Sequence, residues 1–276
     1  MFLFCTYTDR IQNMFDFGEE ARLARLRDLL IARFGRPGIG ALREPMGQLV
    51  KSLISGRTRD EVSLPAFARL ARAYPRWADM AAAQPHEIEA VIKDVTFADV
   101  KAGHLKRTLQ TIAVAYPDFR LDFLAAMPVP RALEWLERLP GVGRKVAAAT
   151  LNFSTLRKPA FVIDTHILRV LRRLGLVRPQ ATTENAYRIV MAAADGWGAD
   201  DLAELHSLMK RLGRTLCRFD RACCEDCPIA SRCKTAIGSS AANLTLDERP
   251  CPGLLSNSSS HNRSPGRPPI GVSEQA

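Results

Sequence analysis

The chain has 276 residues, 47% of them hydrophobic, and a formal net charge of +10. That length and apolar content exclude a wholly disordered chain and allow one large domain or two modest ones. Nearly all of the surplus charge falls between Met14 and Cys233. On a folded body this implies either a polyanionic partner or a merely solvated basic surface.

Met1–Tyr7 is apolar but has no basic leader and is too short for a secretory core. No apolar run approaches the roughly 18 residues of a membrane span. Of seven cysteines, five crowd into Cys217–Cys233, with Cys5 and Cys251 near the ends. A soluble, cytoplasmic protein with no membrane association is expected, in which clustered cysteines point to metal and not to disulfides.

Helical patterns follow one another along the chain. Asp16 and Glu19 have capping-box spacing before Leu23, Leu26, Leu30 and Phe34, with Gly35 and Pro37 as a stop. Similar periodicity recurs at Leu49–Ile54, Phe67–Tyr74, Ile88–Ile92, Leu105–Tyr116, Leu133–Leu139, Val146–Phe153, His166–Leu174, Tyr187–Ala194 and Leu202–Leu216. Phe161–Ile163 has strand-like composition but no evident pairing partner, and reads as a buried connector. The fold class is therefore all-α. Residues 1–13 read as a loose extension. From Lys234 the composition turns to Ser, Pro, Asn and Gly, so residues 234–276 read as a disordered tail.

Leu139-Pro-Gly-Val-Gly-Arg-Lys145 lies between two amphipathic stretches. Pro140 ends the first helix, Gly141 and Gly143 permit a tight turn with open backbone N–H groups, and the second helix begins there with its positive end. Such a turn can hold a DNA phosphate without reading a base, with Arg144 adding charge beside it. An ordinary helical hairpin is the competing reading. From Arg144 to Arg173 there are seven Lys or Arg and a single acid, Asp164, which favours nucleic acid.

The stretch LPGVGRKVAAATLNFSTLRKPAFVIDTHILRV resembles the helix-hairpin-helix, Gly/Pro-rich loop and aspartate of the endonuclease III superfamily. Similarity runs from about Arg43 to Cys233 and includes ISGRTRD (Ile54–Asp60) and HSLMKRLGRTLC (His206–Cys217). The resemblance implies two all-α domains. One is a six-helix barrel over 38–157; the other is an iron–sulfur domain made of 14–37 with 158–233. It implies a DNA glycosylase with abasic-site lyase activity on oxidised pyrimidines, acting as a monomer on double-stranded DNA that carries a damaged base or abasic site. A monofunctional mismatch glycosylase and a non-catalytic DNA-binding protein are the alternatives. A bacterial-type enzyme would sit in the cytoplasm, on the nucleoid through its DNA.

By the same resemblance, Lys145 is the nucleophile and Asp164 the second essential group. An amine can attack the sugar carbon and remain as a Schiff base, and a carboxylate can stabilise the positive charge that grows there. A free lysine is unprotonated in only about one molecule in 2,500 at neutral pH, so the helix N-terminus and Arg144 are expected to lower its pKa. A phosphate-binding Lys145 and an Asp164 that only caps a helix stay open. The interval between them is one residue longer than in the usual pattern, within Thr155–Pro159. His166 reads as a hydrogen-bonded core histidine.

Cys217, Cys224, Cys227 and Cys233 are spaced as four thiolate ligands of one metal group. The resemblance implies a four-iron–four-sulfur cluster in preference to zinc, and leaves Cys223 out. Leu139, Gly141, Gly143, Arg144, Arg218 and Arg221 are expected to face phosphates. Arg57 stands where the family normally has Gln, a residue that enters the DNA stack, so Arg57 is a further DNA contact, to the orphan base or to a phosphate.

Overall fold

The computed structural model describes residues 18–38 and 40–242. These form helices joined by short loops, with only isolated bridges between extended residues, as the hydrophobic periodicity requires. Asp16, the extension 1–13 and residues 243–276 lie outside the described residues. Among those described, no helix is long and apolar enough to cross a membrane.

Helix α1 (Glu19–Phe34) buries Leu23, Leu26 and Leu30 and stops at Gly35, whose φ of 74° suits glycine. Helix α2 (Pro45–Ile54) is the centre of the fold: every one of its residues except Lys51 is buried. Helices α3 (Asp60–Ala73), α4 (Trp77–Ala82), α5 (Pro85–Val91) and α6 (Ala98–Ala115) follow. Both α4 and α5 pack on α6, and α2 packs on α3 and α6. Within a 3₁₀ turn at Asp122–Ala126, Phe123 stacks on Tyr116 at 4.2 Å and meets Trp135 edge-on at 5.1 Å. That trio ties the turn to helix α7 (Val129–Glu137).

Helix α8 (Arg144–Asn152) lies against both α2 and α7, and its Ala147–Asn152 segment is buried throughout. Small alanines there allow close approach to α2. The loop that follows contains Arg157 at a φ of 45°, a left-handed conformation in the segment with the extra residue. Arg157 Nη1 donates to the Asn152 carbonyl at 2.8 Å and its guanidinium pairs with Asp200. Phe161, Val162 and Ile163 are all buried and not in a strand, as the connector reading expects.

Helix α9 (Thr165–Leu174), α10 (Thr183–Ala193) and α11 (Ala199–Thr215) complete the body, with α11 against α9 and α1. Gly213 sits at the α9–α11 crossing. A Cβ there would lie 2.9 Å from the His166 Cβ and 3.2 Å from its backbone oxygen.

Composition placed the start of a tail at Lys234, but Lys234–Ala242 forms one more helix, α12. Docking explains the difference. Thr235 Oγ1 donates to the Arg173 carbonyl at 2.9 Å, and Ala236 is buried, so tertiary contact orders a segment whose composition is that of a linker.

Candidate active site and DNA interface

The turn between α7 and α8 is built as the glycines suggest. Val142 N–H donates to the Leu139 carbonyl at 3.1 Å, and the Thr108 hydroxyl donates to the Pro140 carbonyl at 2.6 Å. Gly141 has a φ of 75°, and a Cβ on it would strike the His104 ring at 2.6 Å. Gly143 is the extended residue before α8 and has open space where a Cβ would be. Leu139 and Val142 are buried and anchor the turn. The first N–H groups of α8 have no partner within their own helix, which makes this end an anion site.

Arg144 departs from expectation. Its guanidinium is bidentate on Glu137, with Nη2 donating to Oε2 at 3.1 Å, and it lies 4.9 Å from the Tyr187 ring centre. Its charge serves the hairpin internally.

Lys145 follows in the first turn of α8 and is half-buried. Burial pulls its pKa below the ordinary lysine range; Asp164 and Asp60 pull it back up, and Lys210 pushes it further down. The cation that lowers it is thus Lys210, from α11, and not Arg144, which is neutralised by Glu137; Lys51 also lies within electrostatic reach. Asp164 caps α9, accepting from the Ile167 N–H at 2.9 Å, which fixes its carboxylate. The structure therefore brings Lys145 and Asp164 within electrostatic reach of one another, from two helix N-termini.

His166 is hydrogen-bonded, as expected, but it is not the core histidine. His166 is half-buried, its Nδ1 3.2 Å from Arg169 Nη2. The core histidine is His206 on α11, whose Nδ1 lies 2.7 Å from the Val162 carbonyl and whose ring meets Phe153 edge-on at 5.0 Å. Burial pushes its pKa down to about 4. It holds the connector that ends in Asp164.

A cleft of about 930 Å³ is lined from α2, α3, α11 and the loops after α1 and α8, among others by Lys51, Asp60, Phe153, His206 and Lys210. Lys210 Nζ donates to Asp60 Oδ2 at 2.7 Å, and Arg214 reaches the same oxygen at 3.2 Å. Burial, the largest single effect, pushes Asp60 up, but the Lys210 hydrogen bond and the charges of Lys210, Lys51 and Arg214 together outweigh it and hold the carboxylate below its ordinary value. Sequence reasoning passed over Lys51, Asp60, Lys210 and His206. The one available signal was Lys51, a charge inside the otherwise apolar-faced α2.

Arg57 is exposed, at a φ of 53°, in the turn after α2. Its guanidinium lies 5.8 Å from the ring of Phe97, itself exposed and at a φ of 58° just before α6. Two left-handed non-glycine residues, each costing of order 1 kcal/mol, persist because Lys101 ties their loops together. Lys101 Nζ donates to the Ile54 carbonyl at 2.9 Å and the Thr58 hydroxyl at 3.1 Å, and also to the Gly56 carbonyl. The Thr96 N–H donates to the same Thr58 oxygen at 3.2 Å. Phe97 was missed in the sequence because nothing there marks it as exposed.

Cys217, Cys224, Cys227 and Cys233 are free and line one apolar recess with Val170, Leu174 and Leu216. Arg173 Nη1 donates to Cys217 Sγ at 3.3 Å and to the Arg218 carbonyl at 2.6 Å. Among the described residues, no three His, Cys, Asp or Glu side chains are grouped closely enough to hold a metal ion. Cys223 is buried and lies outside the free set. Arg218 is paired with Asp220 at 2.9 Å, and Arg221 is half-buried.

Residues 50–194 match the HhH-GPD superfamily of base excision DNA repair proteins. The chain belongs to this superfamily. Among HhH-GPD relatives, endonuclease III of Thermotoga maritima is 30% identical over 194 residues, 69% of this chain and 83% of that protein. Endonuclease III of Bacillus subtilis is 26% identical over 190 residues, 69% of this chain and 81% of its own length. A solved structure of a trapped endonuclease III–DNA covalent intermediate superposes with a TM-score of 0.67 at 23% identity, covering 80% of this chain and 98% of that one. At that identity it establishes the all-α HhH-GPD fold.

Proposed function

We propose that this HhH-GPD protein is a bifunctional DNA glycosylase and abasic-site lyase of the endonuclease III type, acting on double-stranded DNA with a damaged or missing base. The observation that carries the reading is the pairing of Lys145, an amine with a lowered pKa at the N-terminus of α8, with Asp164, a carboxylate fixed by capping α9. The similarity to two endonuclease III enzymes over more than two thirds of the chain supports it.

The chemistry follows from the two groups. The Lys145 amine attacks the sugar anomeric carbon of an extruded nucleotide, because a stacked one is out of reach. The base leaves with the electron pair of the broken C–N bond; the amine then gives up a proton and expels the ring oxygen from the anomeric carbon, which opens the sugar, leaves that oxygen as a hydroxyl and forms the imine. Asp164 stabilises the positive charge on the sugar during that step. Loss of a proton from the neighbouring sugar carbon then expels the 3′ phosphate by β-elimination. The hairpin and α8 N-terminus would hold the backbone, while Arg57, with Phe97 beside it, would enter the stack or bind a phosphate. Oxidised pyrimidines are the proposed substrates.

The same reading divides the body into a six-helix barrel over 38–157 and a second domain of 14–37 with 158–233. The packing of α1 on α11 supports that division. Four free thiols on one apolar recess have the donor chemistry for an iron–sulfur cluster, and Cys217, Cys224, Cys227 and Cys233 would hold it. When bound, the cluster would brace the loop that carries Arg218 and Arg221. Protein purified anaerobically should contain about four irons per chain; stoichiometric zinc without iron would overturn that assignment.

Incubation with a duplex carrying one abasic site tests the activity. Strand cleavage with a β-elimination end is expected, and an intact strand at excess protein would contradict the reading. A panel of single-lesion duplexes then names the base.

A further inference from the structure

Helix α2 is buried along its whole length apart from Lys51, which lines the 930 Å³ cleft. The other cations on that wall are engaged. Lys210 and Arg214 are held by Asp60, Arg36 by Glu204, Arg157 by Asp200, Arg211 by the Phe34 carbonyl and Arg43 against the Phe67 ring. Among the described residues, Lys51 has no hydrogen-bond, ion-pair or aromatic partner for its amine. An unpaired ammonium aimed from a buried helix into a cleft costs stability, so its place calls for an anionic or acceptor-rich occupant.

We propose that Lys51 contacts the extruded base, donating to a carbonyl oxygen and stabilising the negative charge that builds on the base as its bond to the sugar breaks. This rests on the glycosylase reading and extends it to the leaving group. The carbon–nitrogen bond breaks with its electron pair moving onto the base and its carbonyl oxygens, while Lys145 Nζ forms the new bond to the sugar carbon. The proton that the Lys145 amine releases balances the one the base takes up from water, and Lys51 stays an ammonium throughout. The substrate class follows: neutral bases bearing carbonyl oxygens are favoured, and cationic N-alkylated bases are repelled.

Lys51 is suited to this role. Burial and then the Lys145 charge, with Lys210 and Arg43, lower its pKa to about 8, against Asp60. About nine in ten molecules still carry the charge at pH 7, and the weakly solvated N–H groups make a strong donor.

The test compares Lys51→Met and Lys51→Arg with wild type in single-turnover assays on two duplexes, one with thymine glycol and one with a preformed abasic site. An abasic site has no base to contact. Excision of thymine glycol by Lys51→Met should therefore fall about 10- to 100-fold further than cleavage at the abasic site, as for loss of one charge-assisted hydrogen bond. Lys51→Arg should recover most of the difference. Thermal unfolding of both variants checks the fold, and removing a charge beside Lys145 should not lower the midpoint. Equal losses on the two duplexes would overturn the proposal, because Lys51 would then be tuning Lys145 or holding a phosphate. Wild-type protein that cleaves neither duplex would overturn the glycosylase reading itself, and the proposal with it.

Discussion

His206 makes the fold sensitive to acid in a range where its ordinary counterpart is not. It is buried, with Nδ1 2.7 Å from the Val162 carbonyl, and its pKa is pushed down to about 4 from an ordinary 6.5. In the unfolded chain the ring takes up a proton near pH 6.5; in the folded protein it resists until about pH 4. The unfolded state thus binds more protons between those values, and stability is lost as pH falls through that window. At about 1.4 kcal/mol for each tenfold change in proton affinity, the full loss is about 3 kcal/mol, of which about 2 kcal/mol is gone by pH 5. Carboxylates add their own pH dependence, so the difference between proteins is the informative quantity. Urea unfolding of wild type and His206→Gln at pH 7.5, 6 and 5 isolates it. The variant should be destabilised at pH 7.5 but lose about 2 kcal/mol less than wild type on going to pH 5. Parallel pH dependences in the two proteins would refute the reasoning.

Asp164→Asn should unfold within about 0.5 kcal/mol of wild type, since asparagine caps as well as aspartate, while cleavage of an abasic duplex falls by orders of magnitude. A large fall in DNA affinity instead would make capping the important role. Gly213→Val should destabilise by about 1–3 kcal/mol in denaturant titrations, because its side chain meets the backbone of His166 at the α9–α11 crossing. An unchanged midpoint would show that the helices separate freely. Arg57 offers only donors and a permanent charge where glutamine offers both donor and acceptor. Wild type should therefore prefer lesions opposite guanine, whose edge is rich in acceptors, and Arg57→Gln should flatten that preference. Opposite-base kinetics identical in the two proteins would assign Arg57 to a phosphate.

The elements with strong periodicity and local punctuation were legible in the sequence: the hairpin, the cap at Asp164 and the buried connector before it. Their signals are local, being a glycine pair, a helix start and a short apolar run. What was not legible depends on tertiary approach. Lys210 and Asp60 are 150 residues apart and share one hydrogen bond. Arg144 turns to Glu137 instead of to solvent, a choice that depends on the angle between α7 and α8. His206 is the core histidine because α11 sets it against the Val162 carbonyl and the Phe153 ring, contacts made across more than 40 residues of chain. The helix at Lys234–Ala242 escaped because its order comes from docking on Arg173, to which composition is blind.

The central claim is that Lys145 becomes bonded to the sugar. Wild-type protein, Lys145→Gln and Lys51→Met are each incubated with an abasic duplex and borohydride, and the adduct is digested and located by mass spectrometry. Wild type should give a reduced adduct on the peptide containing Lys145, and Lys145→Gln should give none. An adduct carried by Lys51, Lys210 or the N-terminal amine, or one that survives in Lys145→Gln, would contradict the account.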